Sequence, residues 1–227
     1  MIDLAVFDVN ETLFPLDPVA DRMGHVGLAG QFERWFARVL RDGVASGAAG
    51  AFVTFHDLLS HHLDVLLESA QADASGPFAD RDETIAHVLA GFDEVAPHPD
   101  VAAGLQQLHD ELIEVVALTN GSADQTTTFL ERAGLEHLVA EVHDVSVVRR
   151  WKPAPEPYRW VLDRFGLEPQ QAAMIAVHPW DVQGAQQVGM VGAWLDRDGE
   201  RYPTGFVPPD VTAGDLPGLV RALVERA

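Results

Sequence analysis

The chain opens on Ile2-Asp3-Leu4-Ala5-Val6-Phe7-Asp8-Val9-Asn10-Glu11-Thr12-Leu13-Phe14, an apolar run that ends at an aspartate and a polar turn. A short run rich in β-branched and aromatic residues, bounded by Asn10 and Pro15, predicts a buried β-strand. Ligands of open α/β sheets bind beyond the carboxyl ends of the strands, which would place Asp8 at a crevice. Taken alone, Asp8 is as well explained as a turn cap, so its role depends on the rest of the chain.

Length and composition describe a globular protein with an acidic surface. The length of 227 residues suits one domain with an insertion or two small domains, and the 47% of hydrophobic residues indicates a globular protein. The formal net charge of −20 argues against nucleic acid or an anionic membrane as a partner. The chain has no cysteine, which excludes disulfides, thiol catalysis and zinc–thiolate sites. Because no apolar run is long enough for a membrane span and the first strand leaves no room for a leader, we expect a cytoplasmic protein.

Residues 15–95 show helical periodicity and no convincing strand. Three apolar patterns of helical spacing are separated by breaks rich in small residues. The helices are predicted at Phe32–Leu40, Phe55–Leu67 and Asp82–Phe92, with breaks at Gly43–Gly50 and Ser75–Pro77. We interpret residues 15–95 as one inserted helical domain.

From residue 96 onward, short apolar runs alternate with amphipathic helices. Further strands are predicted at Glu114–Leu118, within Val139–Val148, at Ala173–Val177 and at Met190–Leu195. Glycines 134, 166 and 189 follow the intervening helices, as C-terminal caps do. Repeated strand–helix alternation predicts an α/β fold with a doubly wound parallel sheet, formed by residues 1–14 and 96–227.

Polar side chains follow four of the predicted strands in chain order. They are Asp8 with Thr12, Thr119 with Asn120, Lys152, and His178 with Asp181. Each one alone is more often a turn cap or a surface residue, but parallel strands bring all four ends to one edge of the sheet. A carboxylate nucleophile needs such neighbours: a cation to keep it ionised, donors to orient it and a second acid–base group for water. Lys152 is also the one lysine among 15 basic residues, although chance alone could leave one lysine.

These residues lie in motifs that resemble those of the haloacid dehalogenase superfamily, and most of all its L-2-haloacid dehalogenases. The matching segments are Phe7-Asp8-Val9-Asn10-Glu11-Thr12-Leu13, Leu118-Thr119-Asn120-Gly121-Ser122, Lys152-Pro153 and Trp180-Asp181. The resemblance covers the whole chain and implies a Rossmann-like core with an inserted α-helical cap. It also implies a hydrolase in which an aspartate forms an ester with the substrate.

The resemblance assigns roles to individual positions. Asp8 would be the nucleophile, Lys152 its ion-pair partner, and Asp181 would position or activate the water that hydrolyses the ester. The remaining matches would orient Asp8 or bind the carboxylate of the substrate. They are Thr12, Thr119, Asn120 and Tyr158, with Trp180 and Asn10 as further substrate contacts.

Departures from the pattern bear on the reaction. Phosphatases of the superfamily carry a second aspartate, the general acid for the leaving alkoxide, where this chain has Asn10; an amide cannot supply that proton. A halide leaving group needs no proton. Asp181 also lacks the adjacent acid that commonly helps to hold magnesium, so no metal site and no cofactor are expected unless the phosphatase alternative holds. His178 stands where the dehalogenases have an asparagine, and would act either as a base near neutral pH or as a hydrogen-bond donor.

The first cap helix carries the largest departure. Phe36 occupies the position of the halide-facing arginine of the family. Arg38 or Arg41 would be its replacement, although both point away from Phe36 on a helical wheel and are as readily explained as solvated surface residues.

The sequence therefore predicts hydrolytic dehalogenation of a small, anionic 2-haloalkanoate. Two alternatives stay open: a magnesium-dependent small-molecule phosphatase, and a non-catalytic carboxylate-binding protein on the same scaffold. No motif sets the oligomeric state, so a monomer and a homodimer are both compatible with the sequence.

Overall fold

The computed structural model describes residues 1–69 and 80–226, which form two compact units. One unit comprises Met1–Phe14 and Pro97–Ala227, and the other comprises Pro15–Ala96. The predicted loop at Ser75–Pro77 lies outside the described residues. Within residues 1–69 and 80–226, no helix has the length and apolar character needed to cross a membrane.

The first unit is built on a six-stranded sheet in which every neighbouring pair is parallel. The strands are β1 (Leu4–Phe7), β2 (Glu114–Thr119), β3 (Glu141–Asp144), β4 (Ala172–Ala176), β5 (Val191–Leu195) and β6 (Val211–Ala213). Their spatial order is β3-β2-β1-β4-β5-β6, which confirms the predicted doubly wound fold. All four residues of β1 are buried, as expected of a central strand covered on both faces.

The second unit is helical throughout its described part. Its helices are α1 (Asp17–His25), α2 (Phe32–Ala48), α3 (Phe55–Ser69) and α4 (Arg81–Leu89), followed by a short 3₁₀ helix at Ala90–Glu94. The predicted break at Gly43–Gly50 starts too early, because α2 continues to Ala48 and buries Gly43, and the chain turns at Ala49 and Gly50. One glycine costs a helix only about 1 kcal/mol, and α2 packs against α3, which stabilises it through tertiary contacts.

Five helices pack on the sheet of the first unit. They are α5 (Val101–Asp110), α6 (Ala123–Ala133), α7 (Pro155–Phe165), α8 (Pro179–Gln187) and α9 (Leu216–Glu225). The predicted caps Gly134 and Gly166 adopt left-handed conformations, with φ of 68° and 65°. β6 was not predicted, because three residues are too few to show a period.

The contact between α7 and α8 fixes the helix that carries Asp181. Gly184 faces α7 so closely that a Cβ atom there would lie 2.6 Å from the Tyr158 hydroxyl and 2.9 Å from the carbonyl oxygen of Pro153. Only a residue without a side chain allows this approach.

We predict that Gly184→Ala lowers the free energy of unfolding by about 1–3 kcal/mol, the usual range for overpacking. Gly24→Ala is the matched control, because Gly24 lies in α1 and a Cβ there meets nothing within 4 Å. Urea denaturation of both variants measures the difference. Equal stabilities would contradict the tight contact.

Candidate active site

The carboxyl ends of β2, β1 and β4 bring the predicted site residues to one edge of the sheet. Asp8 follows β1 directly, Thr119 ends β2, and His178 comes two residues after β4. Because β1 lies between β2 and β4, Asp8 is at the centre of this group. The strands β2 and β3 lie on one side of β1, and β4, β5 and β6 lie on the other. Asp8 therefore lies at the topological switch point, where ligands of such folds bind.

The ammonium group of Lys152 is the hub of the site. Its Nζ donates to Asp8 Oδ1 at 2.9 Å, to Asp181 Oδ2 at 2.7 Å and to the carbonyl oxygen of Leu118 at 2.6 Å. The side chain is completely buried. Burial alone would lower the pKa of Lys152, but the charges of Asp181 and Asp8 outweigh it and raise the pKa. Lys152 is therefore a buried cation shared by two carboxylates.

Asn120 and Thr119 hold the backbone around this hub. The amide of Asn120 accepts from the backbone N–H of Lys152 at 2.8 Å and donates to its carbonyl oxygen at 3.3 Å. The hydroxyl of Thr119 accepts from the N–H of Gly121 at 2.9 Å. In this structure both residues bind loop backbone rather than Asp8. Their predicted contacts with the substrate carboxylate stay predictions.

The two oxygens of Asp8 have different surroundings. Oδ1 accepts from Lys152, whereas Oδ2 accepts from the hydroxyl of Thr12 at 2.8 Å and lies 2.9 Å from Nδ1 of His178. Burial would raise the pKa of Asp8, but Lys152 and His178 together hold it well below its usual range. Asp8 is thus an ionised carboxylate at neutral pH although it is almost fully buried.

His178 bridges two carboxylates. Nδ1 faces Asp8, Nε2 lies 2.9 Å from Oε2 of Glu11, and the ring stacks on Trp180 with centroids 5.0 Å apart. Burial opposes protonation, but hydrogen bonds to Asp8 and Glu11 raise the pKa of His178 to about 10. Of the two roles open from sequence, this geometry favours a charged donor, because an imidazolium at pH 7 has no free nitrogen to act as a base.

Asp181 is bound through both oxygens. Oδ2 accepts from Lys152, and Oδ1 accepts from the hydroxyl of Tyr158 at 2.5 Å. Burial and the nearby charge of Asp8 raise the pKa of Asp181 despite the attraction of Lys152. Burial, together with Asp181, also raises the pKa of Tyr158 well above its usual value, so the phenol stays a proton donor. The two aspartates therefore differ: Asp8 is held as an anion, and Asp181 binds a proton more readily than an ordinary aspartate.

A family model for haloacid dehalogenase-like hydrolases matches residues 2–189. The chain belongs to the haloacid dehalogenase-like hydrolases. Haloacetate dehalogenase H-2 of Moraxella sp. (strain B) is 22% identical over 98% of each chain, and phosphoglycolate phosphatase of Aliivibrio fischeri is 29% identical over 98% of this chain and 96% of its own. The fold also matches the structure of L-2-haloacid dehalogenase from Xanthobacter autotrophicus with chloropropionic acid covalently bound, with a TM-score of 0.86 and 22% identity over the whole of both chains.

Glu11 is the member of this hydrolase site that the sequence did not single out. Its φ of 64° lies in the left-handed region, where a non-glycine residue is uncommon. Two side chains from later in the sequence contact the backbone of this loop. Nε2 of His98 lies 2.9 Å from the carbonyl oxygen of Glu11. Arg197 donates to the carbonyl oxygen of Thr12 at 3.0 Å. The signal in the sequence was an acidic residue inside the first motif, three positions after Asp8.

The donor set does not fit the magnesium site of phosphatases in the family. Lys152 bridges Asp8 and Asp181 directly, and the remaining oxygens of both carboxylates accept hydrogen bonds from protein donors. Asn10 stands in the place of the second acid. Within residues 1–69 and 80–226, no cluster of three histidine or acidic side chains has the geometry to hold a metal ion.

The predicted substrate contacts of the helical unit lie on α2. Phe36 is buried, stacks on Phe32 with centroids 5.6 Å apart, and meets Phe55 edge-on at 6.2 Å. Arg41 is exposed and binds Asp42 through Nε at 2.6 Å, whereas Arg38 has no ion pair within the described part of the chain. The substrate contacts of Phe36, Arg38 and Arg41 stay predictions.

We predict that the free energy of unfolding falls as the pH rises from 6.5 to about 10. The native state keeps the proton of His178 in this range, because its pKa is raised to about 10, while the unfolded chain releases it near 6.5. The slope for one such proton approaches about 1.4 kcal/mol per pH unit. Urea titrations across this range should show a flatter profile for His178→Asn; identical profiles would contradict the protonated histidine.

Proposed function

We propose that the protein hydrolyses a small 2-haloalkanoate through an ester on Asp8. The supporting observation is the ionised, buried carboxylate of Asp8, held by Lys152, Thr12 and His178 without an acid at position 10. A carboxylate in this environment is an available nucleophile, and burial removes the water that would otherwise solvate it. Carbon–halogen displacement fits Asn10, since a halide departs without a proton.

In the first step, Oδ1 of Asp8 attacks the carbon that bears the halogen. The new C–O bond forms as the C–halogen bond breaks, and the halide leaves with the electron pair. Oδ1 is the better nucleophile because one donor, Lys152, contacts it, while Oδ2 is next to both Thr12 and His178. The product of this step is an ester in which the Asp8 carboxyl group no longer carries a charge.

In the second step, water attacks the carbonyl carbon of the Asp8 ester. Asp181 is the proposed base, because its raised pKa makes it a better proton acceptor than an ordinary aspartate. The Lys152 ammonium links the two carboxylates and stabilises the charge on either one. No step requires a metal ion or another cofactor.

A magnesium-dependent phosphatase is the runner-up, supported by the similarity to a phosphoglycolate phosphatase over most of the chain. The Asn10 amide disfavours it, because an amide cannot supply the proton that a leaving alkoxide needs. A carboxylate-binding protein without activity is disfavoured by the strongly lowered pKa of Asp8, since binding an anion does not need a buried anion at the site.

We also propose the binding partner and the cellular location of the protein. We expect a small organic anion as the partner and cytoplasmic action, and the charge of −20 argues against nucleic acid. The role of residues 15–95 as a cap domain, and homodimer formation, also remain proposals.

We predict halide release from chloroacetate or 2-chloropropionate in the presence of a chelator, with no stimulation by magnesium. Asp8→Asn should abolish release, because a neutral amide is a poor nucleophile. Asp3→Asn is the matched control, since Asp3 is exposed near the other end of β1. Magnesium-stimulated phosphate release from a phosphate-ester panel, with no halide release, would instead select the phosphatase.

We also predict the fate of oxygen in a single turnover in ¹⁸O-labelled water. The product hydroxyl should be unlabelled, because its oxygen comes from Asp8, and the label should appear in the Asp8 carboxylate. Mass spectrometry of the product and of the Asp8 peptide measures both. Label in the first-turnover product would show direct attack by water and refute the nucleophile assignment.

A further inference from the structure

Oδ2 of Asp8 lies between two hydrogen-bond donors from different parts of the chain. The Thr12 hydroxyl contacts it at 2.8 Å and His178 Nδ1 at 2.9 Å. The N–H of Val177, beside His178, donates to the Thr12 oxygen at 3.2 Å, so this hydroxyl has its proton directed at Asp8. If Oδ1 attacks the substrate, Oδ2 becomes the carbonyl oxygen of the ester, and both donors already face it.

Ester formation changes the electrostatics around His178. The charge of Asp8 disappears, and with it one of the two anions that keep the imidazole protonated. Glu11 is the second anion, 2.9 Å from Nε2, and it is not consumed in the reaction. Trp180 covers one face of the ring, and Lys152 lies beyond Asp8 on the Oδ1 side. Within the described part of the chain, these are the charged and aromatic groups that contact the His178–Asp8 pair.

We propose that Glu11 keeps His178 a charged donor throughout the reaction, so that His178 and Thr12 form an oxyanion hole for hydrolysis of the Asp8 ester. This inference rests on the proposed dehalogenation, and it makes His178 a catalytic residue and Glu11 its positioning residue. A charged donor aimed at the oxygen where charge develops is the arrangement expected for this step.

In hydrolysis of the Asp8 ester, His178 acts only as a hydrogen-bond donor, and Asp181 carries the proton that is transferred. Water bonds to Cγ of Asp8 and gives one proton to Asp181, while the carbonyl electron pair moves onto Oδ2 between Thr12 and His178. The C=O bond then re-forms, the Cγ–Oδ1 bond breaks, and the leaving alkoxide takes the proton from Asp181. The regenerated carboxyl group of Asp8 releases its proton to solvent, which accounts for the acid formed with the halide.

The first test requires no turnover. In protein labelled with ¹⁵N-histidine, the His178 signal of the free enzyme should titrate at alkaline pH, and Glu11→Gln should move that titration at least one pH unit lower. Glu136→Gln is the matched control, because Glu136 is exposed and lies outside the site. If His178 titrates near neutral pH in the unaltered protein, or if Glu11→Gln leaves its titration in place, the proposal is wrong.

The second test separates the donor role from a base role by the direction of a pH effect. With 2-chloropropionate, Glu11→Gln should shift the alkaline limb of the kcat profile to lower pH, because the donor is lost earlier. A general base would instead give an acidic limb that moves. His178→Ala should slow hydrolysis of the ester about 10²–10³-fold, the usual effect of losing one oxyanion donor, and ester-linked Asp8 should accumulate in quenched samples.

His178→Asn provides a conservative check, since an amide is a neutral donor. This variant should recover part of the rate lost in His178→Ala, but its kcat should no longer fall at alkaline pH. An unchanged pH profile in both Glu11→Gln and His178→Asn, with normal halide release, would overturn the oxyanion role while leaving dehalogenation intact. Absence of halide release in the unaltered enzyme would refute the proposed function instead, and the NMR titration would still report on the Glu11–His178 pair.

Discussion

A single buried ammonium group, Lys152, keeps two aspartates together at the end of the central strand. Two carboxylates buried without a cation would be driven to take up protons, and removing one partner of a buried ion pair typically costs about 3–5 kcal/mol. Asn120 binds both backbone groups of Lys152, and the carbonyl oxygen of Leu118 accepts the third hydrogen bond of its ammonium group. The loops after β2 and β3 are thus organised around the placement of one charge.

The sequence was sufficient to predict the fold and the meeting of the site residues. Strand–helix alternation implies a parallel sheet, and a parallel sheet brings strand ends to one edge, so Asp8 and His178, which follow the neighbouring strands β1 and β4, were expected to lie close together. Their predicted proximity follows from backbone topology alone. The catalytic roles of these residues remain proposals.

What the sequence could not predict depends on side-chain conformation. Glu11 and His178 are 167 positions apart, and Glu11 makes their contact from a left-handed backbone conformation in the first loop. His178 is protonated because an anion lies at each of its ring nitrogens. The spacing of residues along the sequence does not reveal this arrangement. Thr119 and Asn120 bind loop backbone in the structure. The sequence does not reveal these partners, because the same polar groups can bind a substrate or close a turn.

The rarity of lysine gives the site an unusual chemical property. Lys152 is the one lysine side chain of the whole sequence, and it is completely shielded from solvent in the folded state. An amine-acylating reagent therefore has no surface lysine to modify, and reaction at a lysine ε-amine marks molecules in which the surroundings of Lys152 have opened to solvent. The protein carries an internal probe of its own local unfolding, one that needs no engineered label and has no background from other lysines.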